Sequence, residues 1–272
     1  MASTLEVLFS PAEFNALSQR DLAQTVCVVF DVLRATSTMV TALAHGAHAI
    51  IPVAEIPEAL AVKAHRPDAL LAGERDGVRL RAAQTGGVDF DLGNSPREFT
   101  PDRVTGRLIV TTTTNGTRAL RACRTAQTVL IGSFLNLRAT AEWIHQQAPP
   151  DLLIVCAGTL DQAAYEDTLA AGALCNQLWP DYAAGQVADS AFMARQLYVA
   201  AQDNLLGAFR QARNGQRLLA KPELADDLAA CAQRDVLTIR AALGPDGAVR
   251  LVPAMMNPER GEVFSRVPKS PR

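Results

Sequence analysis

The chain has 272 residues, of which 49% are hydrophobic and 20% are charged, which is typical of a globular protein with a substantial core. A net charge of −2 provides no basic surface for nucleic acid, and no apolar run is long enough to span a bilayer. The five cysteines lack CxxC spacing and indicate neither a disulfide framework nor a zinc site. No signal-peptide pattern is visible, so a cytoplasmic location is expected, without membrane or nucleic-acid partners.

Strand-like runs alternate with helical patterns over about the first 180 residues. Strands are predicted at 25–30, 49–53, 69–72, 107–112, 129–132 and 152–157. Helices are predicted at 36–45, 57–65, 117–124, 137–147 and 165–179, with a long loop at 73–101. Such alternation favours a largely parallel sheet covered by helices on both faces, a three-layer α/β/α fold.

The C-terminal third has a different pattern. Helices are predicted at 189–201, 204–213 and 223–235, followed by a hairpin with arms at 237–242 and 248–252 around the turn GPDG. The tail at 266–272 is expected to fray. We therefore predict a single domain over 1–272, in which 1–180 form the βα core and 181–272 add a helical and β-hairpin extension to the same body.

Polar clusters follow the predicted strands, and parallel strands bring their carboxyl ends to one edge of a sheet, where open α/β folds bind ligands. Asp31 and Arg34 follow the first strand, together with Thr36 and Ser37. This pairing of an acid with a base and hydroxyls predicts a site for an anion, with a metal beside it. The other candidates that follow strands are Glu74, Arg75, Asn94, Ser95, Ser133, Asn136, Glu166 and Asp167.

The segment TTTTNGT at 111–117 is the clearest candidate for an anion site. It ends a strand and begins a helix, where free N–H groups and the helix dipole favour phosphate or sulfonate. Its candidate ligand-binding residues are Thr114, Asn115, Gly116 and Thr117. An ordinary helix cap formed by Asn115 or Thr117 explains the same pattern.

Simpler explanations also exist for other clusters. The segment GNSP at 93–96 has the composition of a turn, and Glu74–Arg75 could be a surface ion pair. Glu166 and Asp167 lie where the dipole alone favours acids in the first turn of a helix. If these acids converge with Asp31, however, they form an all-oxygen set suited to Mg²⁺.

Several common mechanisms are excluded by missing motifs. The sequence has no GxxxxGK[ST] for a P-loop, no GxGxxG after the first strand and no GxSxG elbow. Asp31 is not followed by a second Asp two residues later, as haloacid-dehalogenase-type phosphatases require. The CxxxxxR and RHG motifs of cysteine and histidine phosphatases are also missing.

An ordered set of short motifs resembles the ComB family, the 2-phosphosulfolactate phosphatases. The motifs are DVLRATST (31–38), GER (73–75), DLGNSP (91–96), TTNGT (113–117), GSFLN (132–136), CAG (156–158) and ED (166–167). Each motif alone is weak, but the ordered set covers most of the chain. The resemblance implies Mg²⁺-dependent hydrolysis of 2-phospho-3-sulfolactate to sulfolactate and phosphate, a step of coenzyme M biosynthesis.

The residue chemistry suits a small phosphorylated acid. Asp31 is the expected central acid, as nucleophile, base or metal ligand, while Arg34 and Arg75 could each grip one anionic group. Glu74, Glu166 and Asp167 are further candidates for metal or base roles, with Asp31, Glu166 and Asp167 as the metal set.

Two alternatives remain open on the sequence. The chain could be a non-catalytic sensor of a small anionic metabolite, or a phosphatase of the same fold that acts on another phosphorylated hydroxy acid. A homodimer is the default expectation for the assembly.

Overall fold

Eleven strands form one sheet in the computed structural model, which describes residues 3–252. The strands are β1 (Thr4–Leu8), β2 (Thr25–Phe30), β3 (Ala49–Val53), β4 (Leu70–Arg75), β5 (Val78–Arg79), β6 (Leu108–Thr112), β7 (Thr128–Gly132), β8 (Asp151–Cys156), β9 (Gln186–Val187), β10 (Ala241–Leu243) and β11 (Val249–Leu251). Their order is β5-β4-β6-β3-β11-β10-β7-β2-β8-β1-β9. Most neighbouring pairs are parallel, which confirms the predicted sheet type.

Helices connect and cover these strands. They are α1 (Pro11–Asn15), α2 (Ala35–Ala44), α3 (Ile56–His65), α4 (Ala82–Thr85), α5 (Pro101–Val104), α6 (Gly116–Ala122), α7 (Leu137–Gln147), α8 (Tyr165–Tyr182), α9 (Asp189–Ala201), α10 (Leu205–Gln211), α11 (Arg213–Leu219) and α12 (Asp227–Cys231). Short 3-10 helices lie at Ala16–Gln19, Pro96–Glu98, Phe134–Asn136, Gln202–Asn204 and Pro222–Leu224. Within the described residues, no helix is long and apolar enough to cross a membrane.

Strand β2 shows why the fold has three layers. All six of its residues are buried, and its β-branched side chains suit a strand that is covered on both faces. Val28 and Phe30 belong to a core cluster that includes side chains of α7 and α8. Cys27 and Val29 point to the opposite face, into a cluster that includes side chains of α2 and α6. The α/β/α architecture predicted from the sequence is confirmed.

The predicted C-terminal hairpin lies inside the sheet. β10 pairs antiparallel with β7, and β11 pairs antiparallel with β3. The hairpin therefore joins β5-β4-β6-β3 to β7-β2-β8-β1-β9, two groups of strands that have no other ladder between them in the sheet order. Its first arm begins at Ala241, later than the predicted 237, while GPDG forms the turn as expected.

Several local predictions were wrong. β1 was not predicted, and the predicted loop at 73–101 contains β5, α4 and a 3-10 helix. The predicted helix at 204–213 ends earlier, because extended backbone at Ala212 separates α10 from α11. The predicted helix at 223–235 is replaced by a 3-10 turn and the short α12. The tail at 266–272 lies outside the described residues. All five cysteines are free and buried.

The joining hairpin provides a test of the fold. Val249 is fully buried, whereas Leu251 in the same strand is 46% exposed. We expect Val249→Ala to lower the free energy of unfolding by about 2 kcal/mol, because it removes buried methyl groups and leaves a cavity. Leu251→Ala is the matched control and should cost less than about 1 kcal/mol. Chemical denaturation measures the free energy of unfolding of both variants. Equal losses would show that the burial of Val249 does not stabilise the fold.

Candidate active site

Asp31 lies immediately after β2, where the chain turns into α2. Its Oδ1 accepts a hydrogen bond from Ala35 N at 3.2 Å, while its backbone N–H donates to Thr36 Oγ1 at 3.0 Å. Gly116 at the start of α6 is also close, since a Cβ built on it would lie 2.8 Å from Asp31 Oδ2. The absence of a side chain at this glycine lets the start of α6 approach the carboxylate.

The electrostatic surroundings of Asp31 are unfavourable for its ionised form. Burial is the main cause, and the negative charges of Glu166 and Glu74 add to it, so that the pKa of Asp31 rises from 3.8 to about 7. Hydrogen bonds from Ala35 and Gly116 to the carboxylate partly oppose the rise. A carboxyl group with such a pKa can exchange a proton near neutral pH.

A cavity of about 410 Å³ opens beside Asp31. Segments that follow β2, β6 and β8, the β4–β5 turn and the chain from α11 onward form its walls. The residues that line it are Asp31, Leu33, Arg34, Glu74, Asp76, Gly77, Asn94, Thr113, Thr114, Asn115, Gly158, Thr159, Leu160, Asn214, Arg217, Leu218, Ala220 and Lys221. The expected convergence of strand-end clusters is therefore present.

Glu166 and Asp167 begin α8 and are almost completely buried. Asp167 accepts hydrogen bonds from Val32 N at 2.8 Å and Gly158 N at 3.2 Å, which hold the loops after β2 and β8 together. Burial raises the pKa of Glu166, and burial together with the charges of Glu166 and Asp31 raises the pKa of Asp167. The three carboxylates expected to form the metal set therefore interact electrostatically.

Glu166 carries the clearest sign of a missing partner. Its Oε1 accepts a hydrogen bond from Asn214 Nδ2 at 2.5 Å, but its buried Oε2 has no partner within the described part of the chain. An unsatisfied buried carboxylate oxygen is costly, and a cation would satisfy it. Glu166 lies on a second cavity of about 340 Å³, which shares Thr159 and Asn214 with the first.

The carboxylate oxygens of the site are the type of ligand that Mg²⁺ prefers, but the protein supplies few of them. Among residues 3–252 no three His, Cys, Asp or Glu side chains are placed to hold one ion together. Mg²⁺ commonly uses only one or two carboxylates and completes its shell with water and substrate phosphate. The half-buried carboxylate of Asp31 and the buried carboxylates of Glu166 and Asp167 are compatible with this arrangement.

Arg34 lines the cavity but is already engaged by protein groups. Its Nη1 donates to Asp227 Oδ2 at 2.7 Å and its Nη2 to Gly77 O at 2.6 Å, and it is 3% exposed. The peptide bond between Leu33 and Arg34 is cis. Two guanidinium N–H groups of Arg34 therefore donate to protein oxygens, and the binding of an anion by its remaining N–H groups stays a prediction.

Glu74 and Arg75 lie within β4, not in a loop after it. Glu74 lines the cavity, accepts from Gly77 N at 2.6 Å and accepts from Thr114 Oγ1 at 3.3 Å. Arg75 donates to the carbonyl of Glu74 and to Thr112 Oγ1, and it does not line the cavity. Of this pair, the structure brings only Glu74 to the cavity.

The predicted substrate-binding residues fall into two groups. Asn94, Thr114 and Asn115 line the cavity, and Gly116 lies against Asp31. Asn115 is the residue before α6 but makes no side-chain capping bond, which removes the simple cap explanation for its presence. The side chains outside the cavity lining are those of Thr36, Ser37, Ser95, Thr117, Ser133 and Asn136.

Hydrogen bonds within the protein occupy that second group. Ser37 Oγ lies 2.9 Å from Ser133 Oγ, and Ser133 and Asn136 form a capping box before α7. Ser95 Oγ donates to Asp227 Oδ1 at 2.6 Å. The structure gives these side chains roles in shaping the loops around the cavity, in contrast to the direct substrate contact that we expected.

The C-terminal wall was missed by sequence reasoning. Asn214, Arg217 and Lys221 line the cavity, and Asp227 holds Arg34. The three lining residues lie in segments without a recognisable motif, and α11 itself was not predicted, whereas Asp227 lies in a C-terminal segment that resembles the family more loosely. The charge pattern gave no signal, because exposed basic residues on helices are common.

The buried Arg34–Asp227 pair predicts a large stability effect. Removal of one partner leaves the other charge buried and unpaired, so Asp227→Ala should lower the free energy of unfolding by about 3 to 5 kcal/mol. The adjacent Asp226, whose side chain is 79% exposed and pairs with Arg97 at the surface, supplies the control Asp226→Ala. That change should cost less than about 1 kcal/mol in the same denaturant titration. Similar losses for the two variants would contradict the structural role of the pair.

The raised pKa of Asp31 predicts how stability depends on pH in the absence of bound cations. Between 3.8 and about 7, folded Asp31 keeps a proton that the unfolded chain releases. The burial of Asp31 therefore destabilises the folded protein least at low pH, where the group is protonated. The free energy of unfolding falls as the pH rises through this window. From about pH 5 to about pH 8, Asp31→Asn should reduce the fall in unfolding free energy by about 1 to 3 kcal/mol.

The control for this measurement is Asp246→Asn. Arg250 lowers the pKa of Asp246 to about 2, so Asp246 titrates below the pH range that is compared. Thermal or chemical unfolding of both variants and the parent protein gives the three pH slopes. An Asp31→Asn slope equal to the parent slope would mean that Asp31 titrates normally in the folded protein.

Comparisons with known proteins identify the family of this chain. A protein of Trichormus variabilis named probable 2-phosphosulfolactate phosphatase is 38% identical over 231 residues, covering 82% of this chain and 90% of the relative. Proteins of the same name from two Synechococcus strains are 42% identical over 218 residues, covering 78% and 86%, and 37% identical over 253 residues, covering 91% and 99%. The sequence model of the family described as 2-phosphosulpholactate phosphatase matches residues 13–243, and the chain belongs to this family.

Proposed function

We propose that this protein hydrolyses the phosphate ester of 2-phospho-3-sulfolactate to 3-sulfolactate and phosphate, with Mg²⁺ as its cofactor. The observation that carries the proposal is Asp31, a half-buried carboxylate with a pKa of about 7 on the wall of a cavity large enough for a small acid. Relatives named probable 2-phosphosulfolactate phosphatase support the choice of substrate. The reaction would belong to coenzyme M biosynthesis, as the resemblance implies.

The residues at the strand ends have distinct roles in this proposal. Asp31 acts as the general acid–base at the phosphate, because its pKa lies near the pH at which a proton must be both accepted and returned. Ala35 N and Gly116 hold its carboxylate in place. Thr114 and Asn115 offer a hydroxyl and an amide to the phosphate oxygens from the cavity wall.

Glu166 and Asp167 are the residues that would hold Mg²⁺, with Glu166 Oε2 as the buried oxygen that lacks a partner in the described residues. The bound ion would neutralise the charge of the phosphoryl group and lower the mutual repulsion of the carboxylates. The protein itself keeps these acids close by burying them and by giving Asp167 two backbone donors. Such an arrangement is unfavourable without a cation, and this favours a metal-dependent enzyme.

The acid cluster also argues against a non-catalytic sensor. A protein that only binds an anion gains nothing from three buried carboxylates, because their charges repel the ligand. A phosphatase of the same fold that acts on another phosphorylated hydroxy acid would use the same residues. Phosphate release from a panel of phosphomonoesters, with Mg²⁺ and with a chelator, distinguishes the three possibilities.

Asp31→Asn should reduce turnover of phosphosulfolactate by about 10²- to 10⁴-fold, since the amide cannot transfer the proton. The chelator should abolish phosphate release by the parent protein, and added Mg²⁺ should restore it. Asp246→Asn changes an exposed acid that does not line the cavity, and it should leave turnover at the parent level. Parent-like turnover of Asp31→Asn would refute its role, and no phosphate release from any ester at high enzyme concentration would favour the sensor.

A further inference from the structure

One wall of the cavity is built by α11 and the residues after it. Asn214, Arg217 and Leu218 recur at helical spacing on α11 and therefore share one face, which lines the cavity, and Lys221 follows the helix. Asn214 Nδ2 donates to Thr159 Oγ1 at 2.7 Å and to Glu166, which ties this face to the loop after β8. The face thus has a fixed position relative to the acids.

Close packing behind α11 also limits its movement. Gly215 lies so near to α10 that a Cβ built on it would be 1.8 Å from the carbonyl oxygen of Phe209. Leu218 is 5% exposed and belongs to the core cluster that contains α8. The helix therefore presents its cavity-lining residues from a well-packed support.

Three cationic side chains line this cavity within the described residues, and they differ in their hydrogen-bond and ion-pair partners. Arg34 pairs with Asp227 and donates to Gly77 O. Lys221 Nζ donates to the carbonyl oxygen of Asp76. Arg217 is exposed and makes no hydrogen bond or ion pair within residues 3–252. Of these three side chains, only Arg217 has all of its N–H donors available to a ligand within the described residues.

The cavity is also larger than a phosphate group needs. Its volume of about 410 Å³ compares with the roughly 30 Å³ that one water molecule occupies in the liquid. Leu33, Leu160 and Leu218 give this cavity apolar surface that suits a short carbon chain. An elongated ligand with its phosphate at Asp31 would extend toward the α11 wall.

We propose that Arg217 is a specificity-determining residue that binds a second anionic group of the substrate, remote from the phosphate. A planar guanidinium can make two parallel hydrogen bonds to the oxygens of a carboxylate or a sulfonate. Arg217 would thereby select phosphorylated acids over phosphomonoesters that carry no second charge. This inference rests on the proposed phosphatase function and adds to it the origin of substrate selectivity.

The test compares Arg217→Gln with the parent protein on three esters. Phosphosulfolactate carries both a carboxylate and a sulfonate, 2-phospholactate carries a carboxylate only, and phenyl phosphate carries neither. We expect kcat/KM for phosphosulfolactate to fall by about 10- to 100-fold, mainly through KM, because charge-assisted hydrogen bonds are lost. The loss for phenyl phosphate should be several-fold smaller. Arg217→Lys should recover part of the loss, since it keeps the charge without the planar fork.

The substrates also identify the anionic group. An equal large loss on phosphosulfolactate and 2-phospholactate means that Arg217 binds the carboxylate, and a loss confined to phosphosulfolactate means that it binds the sulfonate; both support the proposal. Arg210→Gln is the matched control, an exposed arginine on α10 that does not line the cavity, and it should match the parent. Parent-like kinetics of Arg217→Gln, or an equal loss on all three esters, would overturn the proposal.

Calorimetric titration separates this inference from the proposed function. If the parent protein does not hydrolyse phosphosulfolactate, the phosphatase function fails, but its binding of phosphosulfolactate can still be measured. Weaker binding by Arg217→Gln than by the parent and by Arg210→Gln would then support the role of Arg217. Equal affinity in all three proteins, or no binding by the parent, would reject it.

Discussion

Arg34 and Asp227 are 193 residues apart, yet they form an ion pair that is almost completely excluded from water. Arg34 belongs to the turn between β2 and α2, which also carries Asp31, and Asp227 begins the C-terminal helix α12. The same guanidinium reaches the carbonyl of Gly77 in the β4–β5 turn, and the same carboxylate accepts from Ser95. One pair thus connects four segments that surround the cavity.

The cost of burying two charges explains why these segments are fixed relative to one another. A buried ion pair contributes little net stability when it is complete, but breaking it leaves a buried charge without compensation. The loops around the cavity therefore have one arrangement in which every partner is present. Lys221, which donates to the carbonyl of Asp76, fixes the β4–β5 turn further. Arg34 and Lys221 therefore hold the segments on this side of the cavity together.

The acids at the strand ends have the opposite property. Glu166 raises the pKa of Asp31, Glu166 and Asp31 raise the pKa of Asp167, and Glu166 Oε2 lacks a partner in the described residues. Such a group lowers the stability of the protein on its own and becomes favourable only with a proton or a cation. The acids therefore lower the stability of the folded protein at the strand ends, and the core on both faces of β2 offsets this loss.

The sequence by itself determined the local elements and the edge of the sheet that carries chemistry. The β-branched run of β2, the helical periodicity of α7 and the acids that begin α8 are local signals, and all three elements lie where they were predicted. Because parallel strands share one carboxyl edge, the convergence of Asp31, Glu74 and Asn94 on the cavity also followed from local patterns.

Only the tertiary structure decided which polar residues face the cavity and what the C-terminal third contributes. Ser133 and Asn136 follow a strand just as Asp31 does, yet they are used in a capping box, and a sequence motif does not distinguish these outcomes. The insertion of β10 and β11 between β3 and β7, the pairing of Arg34 with Asp227 and the free guanidinium of Arg217 all depend on contacts between distant segments. Such contacts are set by packing and by the burial of charge, which have no local periodicity in the sequence.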